Sequence, residues 1–189
     1  MKKGLVWMLT ALMIMGCFLV SACGDDDDAP AEGNAYEVCI IGLLPKAVAP
    51  YATFEMNYND EQGTEQKVVL KASDTSDVLP AEIKREAQLL TMGMVDVDKC
   101  IVRYIKYAVP EGHKVYCRYK TLLNGVEIQA PTDSYFQPFA LVVCKQKGTE
   151  SLILPRGFSV GSSTGTSKQV FQSLLEKWDG REDMSEIHI

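Results

Sequence analysis

The chain has 189 residues, of which 19 are Lys or Arg and 25 are Asp or Glu, so its net charge is −6. This balance excludes the basic surface that nucleic-acid binding requires, and we predict no nucleic-acid partner. Hydrophobic residues make up 47% of the sequence, which is enough for a folded core of ordinary size.

The first 22 residues have the parts of an export signal. Lys2 and Lys3 form a basic start, an apolar stretch runs from residue 5 to residue 20, and small residues precede Cys23. A membrane-spanning helix is the alternative, since Leu5 to Ala22 is 18 residues long, near the lower edge of the roughly 17 to 25 that span a bilayer. The small residues at its end favour cleavage, so residues 1–22 are predicted to be a signal peptide.

The closing sequence Val20-Ser21-Ala22-Cys23 resembles the lipobox of bacterial lipoproteins, in which the cysteine becomes the acylated mature N-terminus. The resemblance implies that Cys23 is lipidated; a second lipobox-like group, ending at Cys17, is the weaker match. The four aspartates Asp25–Asp28 are similar to the acidic export tag of Bacteroidota surface lipoproteins. That similarity implies an outer-membrane lipoprotein exposed at the cell surface, with an anchor that faces the periplasm as the alternative.

A tether and one domain follow the signal peptide. Removal of residues 1–22 takes away two of the 19 basic side chains, which leaves 17 against 25 acidic ones and a net charge of −8. Residues 23–35 are rich in acids, Pro and Gly, so they are predicted to form an extended, solvated spacer. The globular domain is predicted to span residues 36–180, and residues 181–189 are predicted to be a loose tail.

Most of the domain has the period-two apolar pattern of short strands. Two strands on either side of Asp60-Glu61-Gln62-Gly63 are predicted to form a hairpin. A second hairpin is predicted at Pro110-Glu111-Gly112, and a third at Asn124-Gly125, the strongest short hairpin signal in the chain. The predicted strands cover residues 36–44, 50–59, 64–71, 100–107, 113–122, 126–128, 135–145 and 152–154.

Two segments have helical periodicity. Residues 80–90 begin with a proline and place apolar side chains on one face. Residues 166–179 begin with the capping box Thr166-Ser167-Lys168-Gln169, carry an apolar stripe that includes Trp178, and end before Gly180. The second helix is predicted to pack against the strands.

Short strands separated by turns predict a mainly β fold, an antiparallel immunoglobulin-like β-sandwich with a C-terminal α-helix. The hairpin from Phe54 to Leu70 is similar to the opening hairpin of sandwich domains in Bacteroidota lipoproteins. The alternative is a lipocalin-like barrel, which implies an internal ligand cavity.

Four cysteines remain besides Cys23. A hairpin at Pro110-Glu111-Gly112 predicts a disulfide between Cys100 and Cys117, which leaves Cys39 to pair with Cys144. The alternative is four buried free thiols.

One motif suggests catalysis. Gly157-Phe158-Ser159-Val160-Gly161 matches G-x-S-x-G, and Asp179 or Asp183 and then His188 follow in the order of α/β-hydrolases. The strands around the motif argue against that fold, because the elbow serine belongs to an alternating α/β sheet. We predict a linker here, and we predict no enzyme activity.

Other side chains give weaker signals. Asp96 and Asp98 lack the Gly and the distal Glu of a calcium loop, so we predict turn carboxylates and no metal or cofactor. Four tyrosines on neighbouring predicted strands are candidates for a sugar-stacking platform, with ordinary packing as the alternative: Tyr104, Tyr107, Tyr116 and Tyr119.

The sequence therefore predicts a non-enzymatic lipoprotein that binds a protein or glycan partner or assists an envelope complex. The first alternative is a lipocalin-like carrier of an apolar ligand. The second is a serine hydrolase that acts through Ser159.

Overall fold

The computed structural model describes residues 36–149, 151–155, 162–163 and 167–189. Within these residues the chain forms ten strands, two α-helices and one 3-10 turn. The strands are β1 (Tyr36–Pro45), β2 (Ala52–Asn59), β3 (Glu65–Leu70), β4 (Cys100–Val109), β5 (Lys114–Leu123), β6 (Tyr135–Phe136), β7 (Phe139–Gln146), β8 (Leu152–Ile153), β9 (Ser162–Ser163) and β10 (Glu182–His188). The helical elements are α1 (Ala81–Leu90), η1 (Val97–Lys99) and α2 (Lys168–Trp178).

The first sheet, sheet A, has the strand order β4-β1-β7-β8, with antiparallel neighbours throughout. Strand β1 is buried from Val38 to Pro45, on both of its faces. Helix α1 contributes Ile83 and Ala87, both of them buried, to the same hydrophobic core. The continuous apolar run in β1 is the pattern expected of a strand without a solvent face.

The second sheet, sheet B, has the antiparallel order β10-β5-β2-β3. In β2 the buried Phe54 and Met56 alternate with the half-buried Glu55 and Asn57, so one face of this sheet packs and the other meets solvent. The predicted hairpin of β2 and β3 is confirmed, and its turn contains Gly63 at a φ of 75°.

The two sheets pack against each other through the inner faces of β1 and β2. Gly42 of β1 lies so close to β2 that a Cβ atom there would be 2.4 Å from Sδ of Met56. The predicted antiparallel sandwich is therefore confirmed. In the described residues the sheets do not join into the closed barrel of the lipocalin-like alternative.

The C-terminal helix is confirmed as α2, within the predicted range of 166–179. Its N-cap is Ser167, whose hydroxyl accepts a hydrogen bond from the backbone N–H of Val170 at 3.5 Å. Thr166, the predicted cap, lies outside the described residues. The buried Phe171 ring meets the ring of Tyr135 edge-on at 4.5 Å, and hydrogen bonds from Gly180 to Thr121 and from Leu123 to Asp179 join the end of the helix to β5, so the helix packs against the strands as predicted.

Two of the predicted hairpins are wrong. The chain does turn at Gly112, but β4 pairs with β1 in sheet A while β5 pairs with β2 and β10 in sheet B, so this turn is an arch between the sheets. At Asn124 the side-chain oxygen accepts from the N–H of Val126, and its amide group donates to the carbonyl of Pro50. These bonds end β5 without starting a partner strand.

The prediction of a loose tail at residues 181–189 is also wrong. Strand β10 pairs with β5 from Glu182 opposite Lys120 to His188 opposite Lys114, so the domain continues to the end of the chain. Ser185 and Ile187 are buried and alternate with the half-buried Glu186 and the exposed Met184 and His188. This alternation is short and the strand has few apolar residues, which hides it in the sequence.

Candidate functional site

The predicted catalytic residues do not come together in the described part of the chain. Ser159 lies outside the described residues. Asp179 accepts a hydrogen bond from the N–H of Leu123 at 2.9 Å, and Asp183 binds Arg181 and the side chain of Gln137. Both acids thus have structural partners, while His188 is exposed and its nearest carboxylate is that of Glu186 at 3.9 Å.

The predicted disulfides do not form, and the four cysteines are buried free thiols. Cys100 begins β4 in sheet A, whereas Cys117 lies in β5 of sheet B, because the hairpin that would have joined them is absent. Cys39 is opposite Val143 in the register of β1 and β7, one step from Cys144. Adjacent positions of a strand face opposite sides, so these two thiols point away from each other.

The four tyrosines do not form a platform. Tyr107 and Tyr119 face the interior; the Tyr107 hydroxyl donates to the carbonyl of Asn59 at 2.6 Å, and the Tyr119 ring packs on Phe54. Tyr104 lies on the outer face of sheet A, where its hydroxyl contacts the thiol of Cys39 at 3.3 Å. Tyr116 lies on the outer face of sheet B, so the set is divided among three surfaces.

A groove lies at the end of β1 and consists of two pockets that share Lys46 and Asp98 as lining residues; we call it the distal groove. The larger pocket has a volume of about 370 Å³ and the smaller one about 260 Å³. The first value is within the range of about 300–1,000 Å³ that is usual for ligand pockets. The walls of the larger pocket are formed by Pro45, Lys46, Ala47, Met94, Asp96, Asp98, Lys99, Thr132, Asp133, Ser134 and Phe136.

Local hydrogen bonds fix the base of this groove. Asp96 caps η1, because its carboxylate accepts from the N–H of Asp98 at 3.1 Å. Lys46 follows the last residue of β1 and is bound twice: its N–H donates to the carbonyl of Lys99 at 2.8 Å, and its ammonium donates to the carbonyl of Asp98 at 2.9 Å. The side chains of the groove are thus presented by a strand end and a capped turn.

Two ion pairs line the groove. The ammonium of Lys84 lies 2.7 Å from both carboxylate oxygens of Asp98 and so connects α1 to η1. Lys99 contacts Asp133 at 2.8 and 3.0 Å, and this hydrogen bond lowers the pKa of the Asp133 carboxyl and raises that of the Lys99 ammonium. All four side chains are at least one-third exposed, so these pairs orient the groove more than they stabilise the fold.

Two charged groups of the larger pocket have no oppositely charged partner within 4.0 Å among the described residues, although the charge of Asp96 also helps to raise the pKa of Lys99. Lys46 is bound only to backbone carbonyl groups, and Asp96 is bound only to a backbone N–H. In the described part of the chain no ion pair within 4.0 Å includes either of them. One ammonium and one carboxylate therefore remain available to a ligand.

The rim beside the groove is apolar and exposed. It follows the end of α1, where Met92 adopts a φ of 50°, a left-handed conformation that side chains other than glycine rarely take. A large exposed side chain in a strained backbone is a feature that functional sites often have. The exposed rim residues are Leu89 (62%), Met92 (82%) and Met94 (41%).

The side chains of the groove are suited to hydrogen bonds with a ligand. The thiol of Cys100 lines the smaller pocket, but burial raises its pKa to about 12, so it stays protonated. No group of three or more His, Cys, Asp or Glu side chains in the described residues is arranged to hold a metal ion. Ion-paired lysines, aspartates and short hydroxyl side chains can hydrogen-bond a ligand but supply no activated nucleophile.

Only part of this groove is recognisable from the amino-acid sequence. Asp96 and Asp98 are recognisable as turn carboxylates, and the cap on η1 agrees with that prediction. Lys46, Lys84 and Lys99 come from three separate elements, and no spacing rule connects them.

Comparison of the chain with protein-family models, with curated proteins and with solved structures found no match. None of the helices in the described residues combines the length and apolar character needed to cross a bilayer.

Proposed function

We propose that this chain is a non-enzymatic lipoprotein, anchored to the outer membrane through Cys23 and exposed at the cell surface, that binds a partner protein through the distal groove. The observation that carries the proposal is the combination of a concave polar groove with an exposed, methionine-bearing rim. Methionine is enriched in protein interfaces, where its flexible side chain adapts to the partner.

The position of the groove supports this role. The tether joins the domain at Tyr36, and β1 then runs to Pro45, directly before Lys46. Nine steps of about 3.3 Å place the end of β1 about 30 Å from its start. The groove is therefore far from the residue to which the tether is attached, and a partner there does not compete with the attachment point.

A protein fits the groove better than a glycan or an apolar ligand. Sugar sites commonly offer an exposed aromatic face, but Phe136, the aromatic residue of the larger pocket, is 4% exposed. A carrier of apolar ligands needs an apolar lining, whereas charged and hydroxyl side chains form most of this one. The exposed Leu89 and Met92 lie outside the pocket, and a protein partner is broad enough to cover them as well.

Photocrosslinking in intact cells tests the proposal. A photoreactive residue in place of Met94 should yield a crosslink to one defined envelope or extracellular protein. The matched control is Met184, which is similarly exposed but lies on the outer face of sheet B. Equal crosslinking from both positions would contradict a partner at the groove.

A blocking substitution then tests the same site with the identified protein. Ser134→Trp places a bulky side chain at the exposed wall of the larger pocket and should reduce binding at least tenfold, while Thr64→Trp in the β2–β3 turn should leave it unchanged. Unchanged binding by Ser134→Trp would refute the groove as the interface. Retention on a glycan array that Ser134→Trp abolishes would replace the protein partner with a glycan.

A further inference from the structure

We propose that the partner segment seated in the distal groove carries charges of both signs, an acidic side chain for Lys46 and a basic side chain for Asp96. This inference rests on the proposed function and specifies the chemistry of the partner. It follows from the way in which the charges of the groove are paired.

Three lysines and three aspartates of the distal groove have charges that cancel, if Lys84 of the smaller pocket is counted. Asp98 is paired with Lys84, and Asp133 with Lys99. Lys46 and Asp96 remain as one ammonium and one carboxylate without an ion pair within 4.0 Å in the described residues. A segment with a single sign of charge satisfies only one of them.

Both groups are held in place before a ligand arrives. The backbone N–H of Lys46 donates to the carbonyl of Lys99, and its ammonium donates to the carbonyl of Asp98, so two of the three ammonium donors have no acceptor among the described residues. Asp96 uses one carboxylate oxygen for the cap of η1, and its second oxygen has no bond to a described residue. Groups that are already oriented lose little entropy on binding, which favours their use in recognition.

The cost of a mismatch makes this arrangement selective. When a partner covers the pocket, a charge that loses water without gaining an opposite charge is penalised, and a like charge beside it adds repulsion. A doubly acidic segment would leave Asp96 unpaired, and a doubly basic one would do the same to Lys46. Selectivity for a mixed-charge segment follows from these penalties.

The neighbouring surface agrees with a segment of several residues. The two pockets share Lys46 and Asp98 as wall residues and therefore lie next to each other. Met94 lines the same pocket as Lys46 and Asp96 and offers an apolar contact beside the two charged ones. A peptide that carries an apolar residue and two opposite charges matches this set of side chains.

Binding of four blocked, dye-labelled peptides to the full chain in detergent tests the proposal by fluorescence anisotropy. Two peptides carry mixed charge, acetyl-Glu-Ala-Leu-Ala-Lys-amide and its reverse sequence; the other two carry Glu or Lys at both ends. We expect one of the mixed peptides to bind about tenfold more tightly than either of the others at low salt.

Two substitutions that keep the local hydrogen bonds make the test specific. Lys46→Gln retains a donor for the carbonyl of Asp98 and should move the preference to the doubly basic peptide. Asp96→Asn retains the cap of η1 and should move it to the doubly acidic peptide. Lys71→Gln, on an exposed lysine outside the groove, is the matched control and should leave the order of affinities unchanged.

The outcomes separate this inference from the proposed function. If the wild-type chain prefers a singly signed peptide, or if Lys46→Gln and Asp96→Asn weaken all four peptides equally, the charge rule is wrong. Sensitivity of partner binding to Ser134→Trp would still support the groove as an interface in that case. If no peptide binds and Met94 gives no specific crosslink, both proposals fail.

Discussion

The closest approach of the two sheets gives the sharpest test of the fold. A Cβ atom on Gly42 would lie 2.4 Å from Sδ and 2.6 Å from Cε of Met56, whereas ordinary contact begins at 3.4 Å. Gly42→Ala therefore lacks about 1 Å of space. Because Met56 is fully buried, its side chain has no solvent to move into, and overpacking of this kind costs about 1–3 kcal/mol of unfolding free energy.

A double-mutant cycle with Met56→Ala shows whether this contact is the cause. Met56→Ala alone should cost about 2–5 kcal/mol, because it leaves a cavity in the core. In that background the methyl group of Gly42→Ala enters the vacated space, so the second substitution should cost less than about 0.5 kcal/mol. The two changes should thus fall short of additivity by roughly 1 kcal/mol or more.

Urea unfolding of the full chain, followed by circular dichroism and by the fluorescence of the buried Trp178, provides the measurement. The Met56→Ala background is the control, since it contains the same glycine substitution without the opposing atoms. Additivity within about 0.5 kcal/mol would show that Gly42 and Met56 do not share one space. The packing of β1 on β2 described above would then be wrong.

Four further predictions concern other parts of the chain. The hydrogen bond from Lys67 lowers the pKa of Glu55. The stability that Glu55 contributes is therefore complete above its unfolded pKa, near 4.5, and is lost as the pH falls through its lower folded pKa. In urea titrations at several pH values, Glu55→Gln should flatten the acid side of the stability–pH curve. All four domain thiols are buried, and burial raises the pKa of the Cys100 thiol to about 12. Iodoacetamide should therefore label none of the four in the native state and all four in urea without reductant. Fewer labels after unfolding would reveal a disulfide. Ile187→Ala should lower the unfolding free energy by about 2–4 kcal/mol, whereas a loose tail would make it neutral by urea titration. Cys23→Ala should abolish acylation and release the protein from membrane fractions, and retention without a lipid mass shift would contradict lipidation at this cysteine.

The sequence predicted local elements well and their assembly less well. Strands β2 and β3 and helices α1 and α2 have clear periodicity, a short turn or a proline start, so their position follows from neighbouring residues. The strand with which β4 pairs cannot be inferred from neighbouring residues. Pro110 to Gly112 supplies a good turn. Whether the chain then returns in the same sheet or crosses to the other depends on where β1 and β2 offer an edge for pairing. These two strands lie more than fifty residues away in the sequence.

The same limit explains the errors about side-chain sites. A disulfide between Cys100 and Cys117 and a tyrosine platform both required β4 and β5 to be neighbours, so one wrong pairing removed both. The cap at Asp96 was accessible to sequence reasoning because it depends on residues two apart. The unpaired state of Lys46 was not, because it depends on Lys84 and Lys99 binding the other aspartates of the groove.

The outer face of sheet B shows why unpaired charge, and not charge alone, identifies the groove. That face is also rich in charged residues, but Glu55 lies between Lys67 at 2.9 Å and Lys120 at 3.4 Å, and Lys114 contacts Glu186 at 2.8 Å. Such cross-strand pairs satisfy one another and leave little for a ligand to gain. In the distal groove the same kinds of side chain lie on a concave surface, and one ammonium and one carboxylate have no ion-pair partner there. A partner with side chains of opposite charge to these two groups therefore gains interactions that the solvated sheet face does not offer.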